Sequence, residues 1–167
     1  MQKILVIGCP GSGKSTFARQ LRDMTGLPLH YLDRIWHKPD RTTVSREAFD
    51  AALTEILAQD AWIIDGNYSR TLEQRIAACD AVFLMDYPTD VCLAGAAARV
   101  GQVREEMPWT EETLDPEFSQ YIRDFAATQL PHVYELLAQY GEGREIVIFR
   151  SREDTDAWLR LYEARKA

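Results

Sequence analysis

The 167-residue chain has only three cysteines, Cys9, Cys79 and Cys92, and neither a CxxC pair nor a Cys/His cluster. That scarcity argues against a disulfide framework or a structural zinc site and suits a reducing compartment. Cys79 and Cys92 read as small buried hydrophobes, whereas Cys9 lies inside a glycine-rich stretch where oxidation would have consequences. No apolar run approaches the length needed to span a bilayer. The opening Met-Gln-Lys-Ile-Leu-Val-Ile-Gly is too short an apolar run for a secretory signal, so the expected location is cytoplasmic. Basic excess is missing as well, with 19 Lys and Arg against 26 Asp and Glu, a net charge of −7. No helix carries a basic stripe, so autonomous binding of duplex DNA, which needs cations to neutralise phosphates, is disfavoured. Internal repeats, low-complexity tracts and linkers are absent too, and the length suits one domain over 1–167.

What the chain does have is alternation. Lys3–Ile7 is a continuous apolar run ending at glycine, the pattern of a buried parallel strand. A helix is expected from Lys14 to Met24, stopped by Gly26. Pro28–Leu32 reads as a second strand, and Ser45 caps a helix with Phe49, Ala52, Leu53 and Ile56 on one face. Ala61–Ile64 is the third strand, Thr71–Ala77 a short helix, Ala81–Met85 the fourth strand and Thr89–Val100 another helix. After an irregular stretch over 101–115, Pro116 opens a helix expected to bend at Pro131 and run to Tyr140. Glu145–Phe149 is the fifth strand, and Ser151 with Asp154 has capping-box spacing before a last helix. Such a series predicts parallel crossovers and a doubly wound sheet, with ligands bound beyond the carboxyl ends of the strands. The polar residues that follow the strands, Gly8, Asp33, Asp65, Asp86 and Arg150, are therefore expected on one edge.

Gly8-Cys9-Pro10-Gly11-Ser12-Gly13-Lys14-Ser15 fits the spacing G-x-x-x-x-G-K-[ST]. Glycines let the main chain curl so that successive N–H groups point at one phosphate, and the helix that follows adds its positive end. Gly8, Pro10, Gly11, Ser12, Gly13, Lys14, Ser15 and Thr16 are the candidate nucleotide-binding residues. Lys14 is expected to reach the β- and γ-phosphates and Ser15 to ligate Mg²⁺. The motif lies between an apolar strand and an amphipathic helix, which is its proper context. ATP and Mg²⁺ are the expected cofactors.

With this loop and Asp65-Gly66-Asn67-Tyr68-Ser69-Arg70-Thr71 after strand three, the chain resembles the adenylate-kinase-like branch of P-loop proteins. The nucleotide-kinase motif there is Asp-Gly-Phe-Pro-Arg-Thr; here one residue is added before the arginine and Phe-Pro is missing. Gly8–Phe17, Leu32–Trp36, Asp65–Thr71, Asp86-Tyr87-Pro88 and Met107-Pro108-Trp109 resemble the bacterial topology modulation proteins. The resemblance implies a three-layer α/β/α P-loop NTPase fold with a five-stranded parallel sheet in the order 2-3-1-4-5. It also implies acceptor-side helices over 33–60 and a short lid over 99–117. The implied activity is transfer of the ATP γ-phosphate to a nucleotide, nucleoside or related metabolite. The alternative is an ATPase or regulatory nucleotide-binding protein linked to DNA topology, without a small-molecule acceptor.

By the same resemblance Asp65 supports the metal opposite Ser15, with Asp86 a competitor. Phosphoryl transfer needs positive charge around the moving group, and Lys14, Arg99, Arg104 and Arg123 are the candidate catalytic residues. Arg104 to Glu117 holds six acids and one base; the acids either face water or repel wrong anionic acceptors. On the acceptor side the candidates are Asp33, Trp36, Tyr68 and Arg70. Asp33 is placed to orient or deprotonate an alcohol; Arg34, Arg70 and Arg75 are available for an anionic acceptor. Tyr31, Trp36, His37 and Tyr68 either stack on an acceptor ring or pack in the core. His30, His37 and His132 read as structural.

Overall fold

The computed structural model describes residues 1–166. Five parallel strands form one sheet: β1 (Lys3–Gly8), β2 (Leu29–Tyr31), β3 (Trp62–Asp65), β4 (Ala81–Met85) and β5 (Glu145–Phe149), in the order β2-β3-β1-β4-β5. The apolar runs of β1, β3 and β4 are buried along their length, as both faces of a parallel sheet must be. α1 (Lys14–Thr25) and α8 (Arg152–Lys166) pack on a common face, where Phe17 and Trp158 meet at 5.8 Å and both reach Phe83. α4 (Leu72–Ala78), α5 (Thr89–Ala98), α6 (Pro116–Thr128) and α7 (Leu130–Tyr140) pack in series with one another, the arrangement that right-handed crossovers impose.

Register fixes the functional edge. Val6 pairs with Asp65, Tyr31 with Asp65, Gly8 with Met85 and Met85 with Phe149, so all five strands end together. Local signals place the helices. Ser45 Oγ accepts from Ala48 N at 3.1 Å to start α3 (Arg46–Leu57), and Asp115 caps α6 with Pro116 in the first turn. Ser151 and Asp154 cap each other's backbone N–H at 3.2 and 3.1 Å before α8, the reciprocal box that their spacing predicts.

Three elements differ from the sequence expectation. The second strand ends at Tyr31 and passes directly into a five-residue helix, α2 (Leu32–Trp36), which is too short to show a helical period. α5 stops at Ala98, before Gly101 turns with φ 76°. The expected bend at Pro131 is a break instead: α6 ends at Thr128 and α7 begins at Leu130. Proline has no N–H to donate, so it sits in a first turn that needs no donor there.

One close approach positions the phosphate loop. A Cβ on Gly95 of α5 would lie 2.0 Å from the Gly11 carbonyl oxygen, and a Cβ on Gly11 would lie 2.0 Å from the Cys92 carbonyl oxygen. The neighbours are backbone, which cannot swing aside. Gly95→Ala gains about 1 kcal/mol of helix propensity but forces the loop off the helix at an overpacking cost of about 1–3 kcal/mol. A net loss of stability is therefore expected in thermal unfolding; an unchanged or raised Tm would show that the loop retreats freely.

Candidate functional site

The loop between β1 and α1 turns through three glycines with positive φ: Gly8 (142°), Gly11 (83°) and Gly13 (95°). Gly13 is the N-cap of α1, so the unpaired N–H groups of its first turn open onto the space beyond the sheet edge. Lys14 curls back over the loop, its Nζ 3.4 Å from the Cys9 carbonyl. Asn67, 59 residues away in sequence, braces the loop at its root. Gly8 N donates to Asn67 Oδ1 at 3.0 Å, and Asn67 Nδ2 donates to Gly8 O at 2.8 Å.

Asp65, at the end of β3, is buried, and its Oδ2 accepts from Ser15 Oγ at 2.5 Å while its Oδ1 has no partner in the protein. Burial pushes its carboxyl up to about 6, against the pull of Lys14 and the Ser15 hydroxyl. A carboxyl whose folded value is raised favours the fold when protonated; that contribution is full below about pH 4 and is lost as pH rises through about 6. Asp65→Asn is therefore expected to be more stable than the parent by about 2–3 kcal/mol near pH 8 and equal to it near pH 4. Urea unfolding at the two pH values checks this, and equal stability at both would contradict it.

Asp86, the competing acid, is already engaged, its Oδ2 accepting from Tyr134 Oη at 2.5 Å and Arg150 Nη1 at 2.8 Å. Of the five strand-end residues expected at one edge, Asp86 and Arg150 thus pair with each other and do not line the cleft. Among the described residues no group of three His, Cys, Asp or Glu side chains could hold a metal by itself.

A cleft of about 710 Å³ runs from Pro10, Lys14 and Ser15 past Asp65 and Asp33 to Arg41 and Trp109. Farther along the cleft Tyr68 Oη donates to Asp33 Oδ1 at 2.7 Å, and the Tyr68 ring stacks on Phe49 at 5.1 Å. Burial and then Asp33 push the Tyr68 hydroxyl well above the usual phenol value, so it stays a donor. Tyr68 is held with φ 39°, in the left-handed region, by the wholly buried Arg75. Arg75 donates to the carbonyls of Gly66 (2.9 Å), Asn67 and Tyr68 (3.1 Å) and to Thr71 Oγ1 (3.1 Å).

Residues 99–115 roof the cleft. Arg99 is partly buried, with its Nε unpartnered and its guanidinium 6.0 Å from the Phe118 ring; burial, then repulsion from Arg104, lowers its pKa. Arg104 is paired with Glu106 at 3.0 Å and Glu111 at 3.3 Å. Glu106 is buried and also accepts from Arg19 at 2.9 Å. Glu105 accepts from Arg22 and Tyr31, and its carbonyl from Arg34. Glu105, Glu106 and Glu111 therefore serve as counter-ions to arginines of the body and roof; of the six acids, Glu105, Glu112, Asp115 and Glu117 are exposed to water.

No protein-family model and no curated protein matches the chain. Among solved structures it is similar to a shikimate kinase from Acinetobacter baumannii in complex with shikimate, at TM-score 0.63 and 16% identity, over 99% of this chain and 95% of that one. It is likewise similar to a shikimate kinase from Bacteroides thetaiotaomicron, at TM-score 0.57 and 17% identity, over 98% of each chain. The fold is that of a P-loop kinase.

Of the residues singled out in the sequence, this P-loop kinase fold brings Pro10, Lys14, Ser15, Asp33, Asp65, Tyr68, Arg99 and Arg104 into one cleft. Gly8, Gly11, Ser12 and Gly13 shape the loop behind it, and Thr16 is exposed, its Oγ1 accepting from Arg19. Arg123, expected among the catalytic arginines, is exposed on α6 and does not line the cleft. Arg70 is outside it too, tied to Asp50 at 2.7 and 3.1 Å, and Trp36 packs edge-on against Phe49 at 5.8 Å. Arg75, taken as available to an acceptor, is instead the buried clamp of the 66–68 loop. Sequence reading passed over Arg41, whose guanidinium lies 5.9 Å from the Trp109 ring, itself 4.9 Å from His37. The Asp-Gly that precedes Asn67 was the one local hint of that loop's importance.

Proposed function

We propose that this chain is an ATP-dependent kinase that moves the γ-phosphate to a hydroxyl of a nucleotide, nucleoside or related metabolite. The observation that carries the reading is the single cleft that runs from the glycine loop to the Asp33–Tyr68 pair. In this reading the loop's N–H groups and Lys14 hold the β- and γ-phosphates. Arg99 and Arg104 approach from the roof and offset charge on the moving phosphoryl group. Arg104 must leave Glu106 and Glu111 to do so, which makes 99–117 a lid and 33–60 the acceptor side of a single domain. Asp33 accepts the proton of the acceptor hydroxyl or orients it, with Tyr68 fixing the carboxylate until the acceptor takes its place.

The orphaned Asp65 Oδ1 beside Ser15 Oγ fits a Mg²⁺ that draws its other ligands from phosphate oxygens and water. Such an ion supplies charge stabilisation to the polyphosphate. The buried, unpartnered Ser12 Oγ and Arg99 Nε fit a polyanion in the same place. The resemblance to topology modulation proteins supplies a label without a mechanism, and the net charge of −7 supports no grip on duplex DNA.

Incubation with Mg²⁺ and γ-labelled ATP against a panel of nucleosides, monophosphates and small alcohols tests the reading. Transfer is expected to one class, and Asp33→Asn should lose it while ATP affinity persists. ATP bound with no labelled product from any acceptor would count against a kinase.

A further inference from the structure

The charged lining of the cleft is weighted toward acid. Six carboxylates, Asp33, Asp65, Glu106, Glu111, Glu112 and Asp115, stand against Lys14, Arg41, Arg99 and Arg104. Glu112 and Asp115 are exposed, and neither enters an ion pair among the described residues. Glu111 is half-buried with Arg104 as its partner, and it loses that counter-ion once Arg104 turns to a phosphate.

The arginines that could receive a phosphate of the acceptor are engaged within the protein. Arg34 donates to the Glu105 carbonyl at 2.8 Å, and Arg70 holds Asp50 at 2.7 and 3.1 Å. Arg75 is buried, with its donors on the carbonyls of Gly66, Asn67 and Tyr68. Arg41 is the exception, since it lines the cleft and pairs with no carboxylate among the described residues. It is exposed, however, in the turn where Lys38 N donates to Thr42 O, and its guanidinium lies over Trp109. A lone exposed guanidinium attracts an anion weakly through water.

We propose that the acceptor is a hydroxylated ring that carries no phosphate or carboxylate, and that Glu111, Glu112 and Asp115 screen anionic acceptors out of the cleft. The inference rests on the kinase reading and narrows its acceptor to the uncharged ring chemistry that nucleosides and sugars share. With Lys14, Arg99 and Arg104 committed to the triphosphate, Arg41 alone stands against the remaining carboxylates. A second phosphate would enter a cleft of its own sign, where walls that displace water strengthen the repulsion. An uncharged hydroxyl meets no such barrier. It can donate to Asp33, which already accepts from one hydroxyl, that of Tyr68 at 2.7 Å. The acceptor's ring finds flat partners in Trp109 and His37, which line the cleft and meet edge-on at 4.9 Å. Repulsion of this kind acts on the wrong partner and asks nothing of the right one.

The test uses the full chain saturated with Mg²⁺ and the β,γ-imido analogue of ATP. Binding of the analogue is measured first by calorimetry; its absence refutes the nucleotide reading and this inference with it. Adenosine 5′-monophosphate is then titrated into the loaded protein, and millimolar or weaker binding is expected. The double variant Glu112→Gln, Asp115→Asn, in which asparagine keeps a cap on α6, should bind the monophosphate about tenfold more tightly. The gain should shrink above about 0.5 M salt, a dependence that altered packing would not produce. In parallel, γ-labelled ATP is offered with adenosine, uridine and glucose, each set against its monophosphate. Label should reach an uncharged acceptor about tenfold faster than its phosphorylated partner. If no acceptor takes label, the kinase reading fails, and the calorimetry decides the charge screen by itself. Three results would overturn the proposal: parent binding of the monophosphate tighter than about 0.1 mM, a double variant that binds it no better than the parent, or transfer to a monophosphate as fast as to its uncharged partner.

Discussion

Arg75→Met is expected to destabilise the protein by about 3–5 kcal/mol, a larger effect than any substitution on the cleft surface. Arg75 is wholly buried, and its guanidinium is the donor for three consecutive carbonyls, Gly66, Asn67 and Tyr68. Burial pulls its pKa down to about 9, with Asp65 the first group that opposes the drop, so it remains charged at neutral pH. Methionine fills similar volume, and where both partners of a buried ion pair are replaced by apolar groups the cost is often small. Here the partners are backbone oxygens that no substitution removes, so each is left buried without a donor. The 66–68 loop carries Asn67, which braces Gly8, and Tyr68, which holds Asp33. Loss of the clamp should therefore lower Tm by about 10 °C or more and weaken ATP binding with it. A melting temperature within a degree or two of the parent's would mean that water satisfies the carbonyls.

Lys14→Ala is the second large effect, and it acts on binding with the fold intact. Lys14 makes one long contact within the protein, 3.4 Å to the Cys9 carbonyl, so its removal costs the apo protein little. Its ammonium is the one cation built into the loop. Each charge-assisted hydrogen bond to phosphate is worth about 1.5–3 kcal/mol, so loss of its contacts should weaken Mg·ATP binding by about a hundredfold or more. Calorimetric titration of the two proteins, each shown to be folded by its unfolding transition, measures the difference. An affinity within about threefold of the parent's would place the phosphates elsewhere.

The two substitutions mark the boundary between what the sequence makes legible and what it hides. Lys14 is readable because the chemistry of a phosphate nest is written within eight consecutive residues, flanked by an apolar strand and an amphipathic helix. The same holds for β4 and β5, whose bounds are those of their apolar runs, and for the sheet order that follows from the kinase resemblance. Arg75 is not readable in that way. On a short helix it looks like any surface arginine, and only the folding back of residues 66–68 turns it inward. Asn67 and Gly8 are likewise joined across 59 positions, a contact with no local period to announce it. The roof acids stayed open between two roles for a related reason: composition gives the sum of their charges, while their function depends on which arginines the fold sets opposite them. Glu106 between Arg19 and Arg104 is a pairing that only tertiary structure creates. Arg123 fails in the other direction, being on the right helix but turned to solvent.

The central claim is that the main-chain amides between Gly8 and Ser15, with the Lys14 ammonium and the Ser15 hydroxyl, capture a nucleotide triphosphate. Isothermal titration of the reduced, folded protein with ATP in the presence of magnesium tests it most directly. Saturable binding of one ATP per chain, weakened when magnesium is withdrawn, is the expected result. A flat titration at ATP concentrations up to about a millimolar would contradict the account.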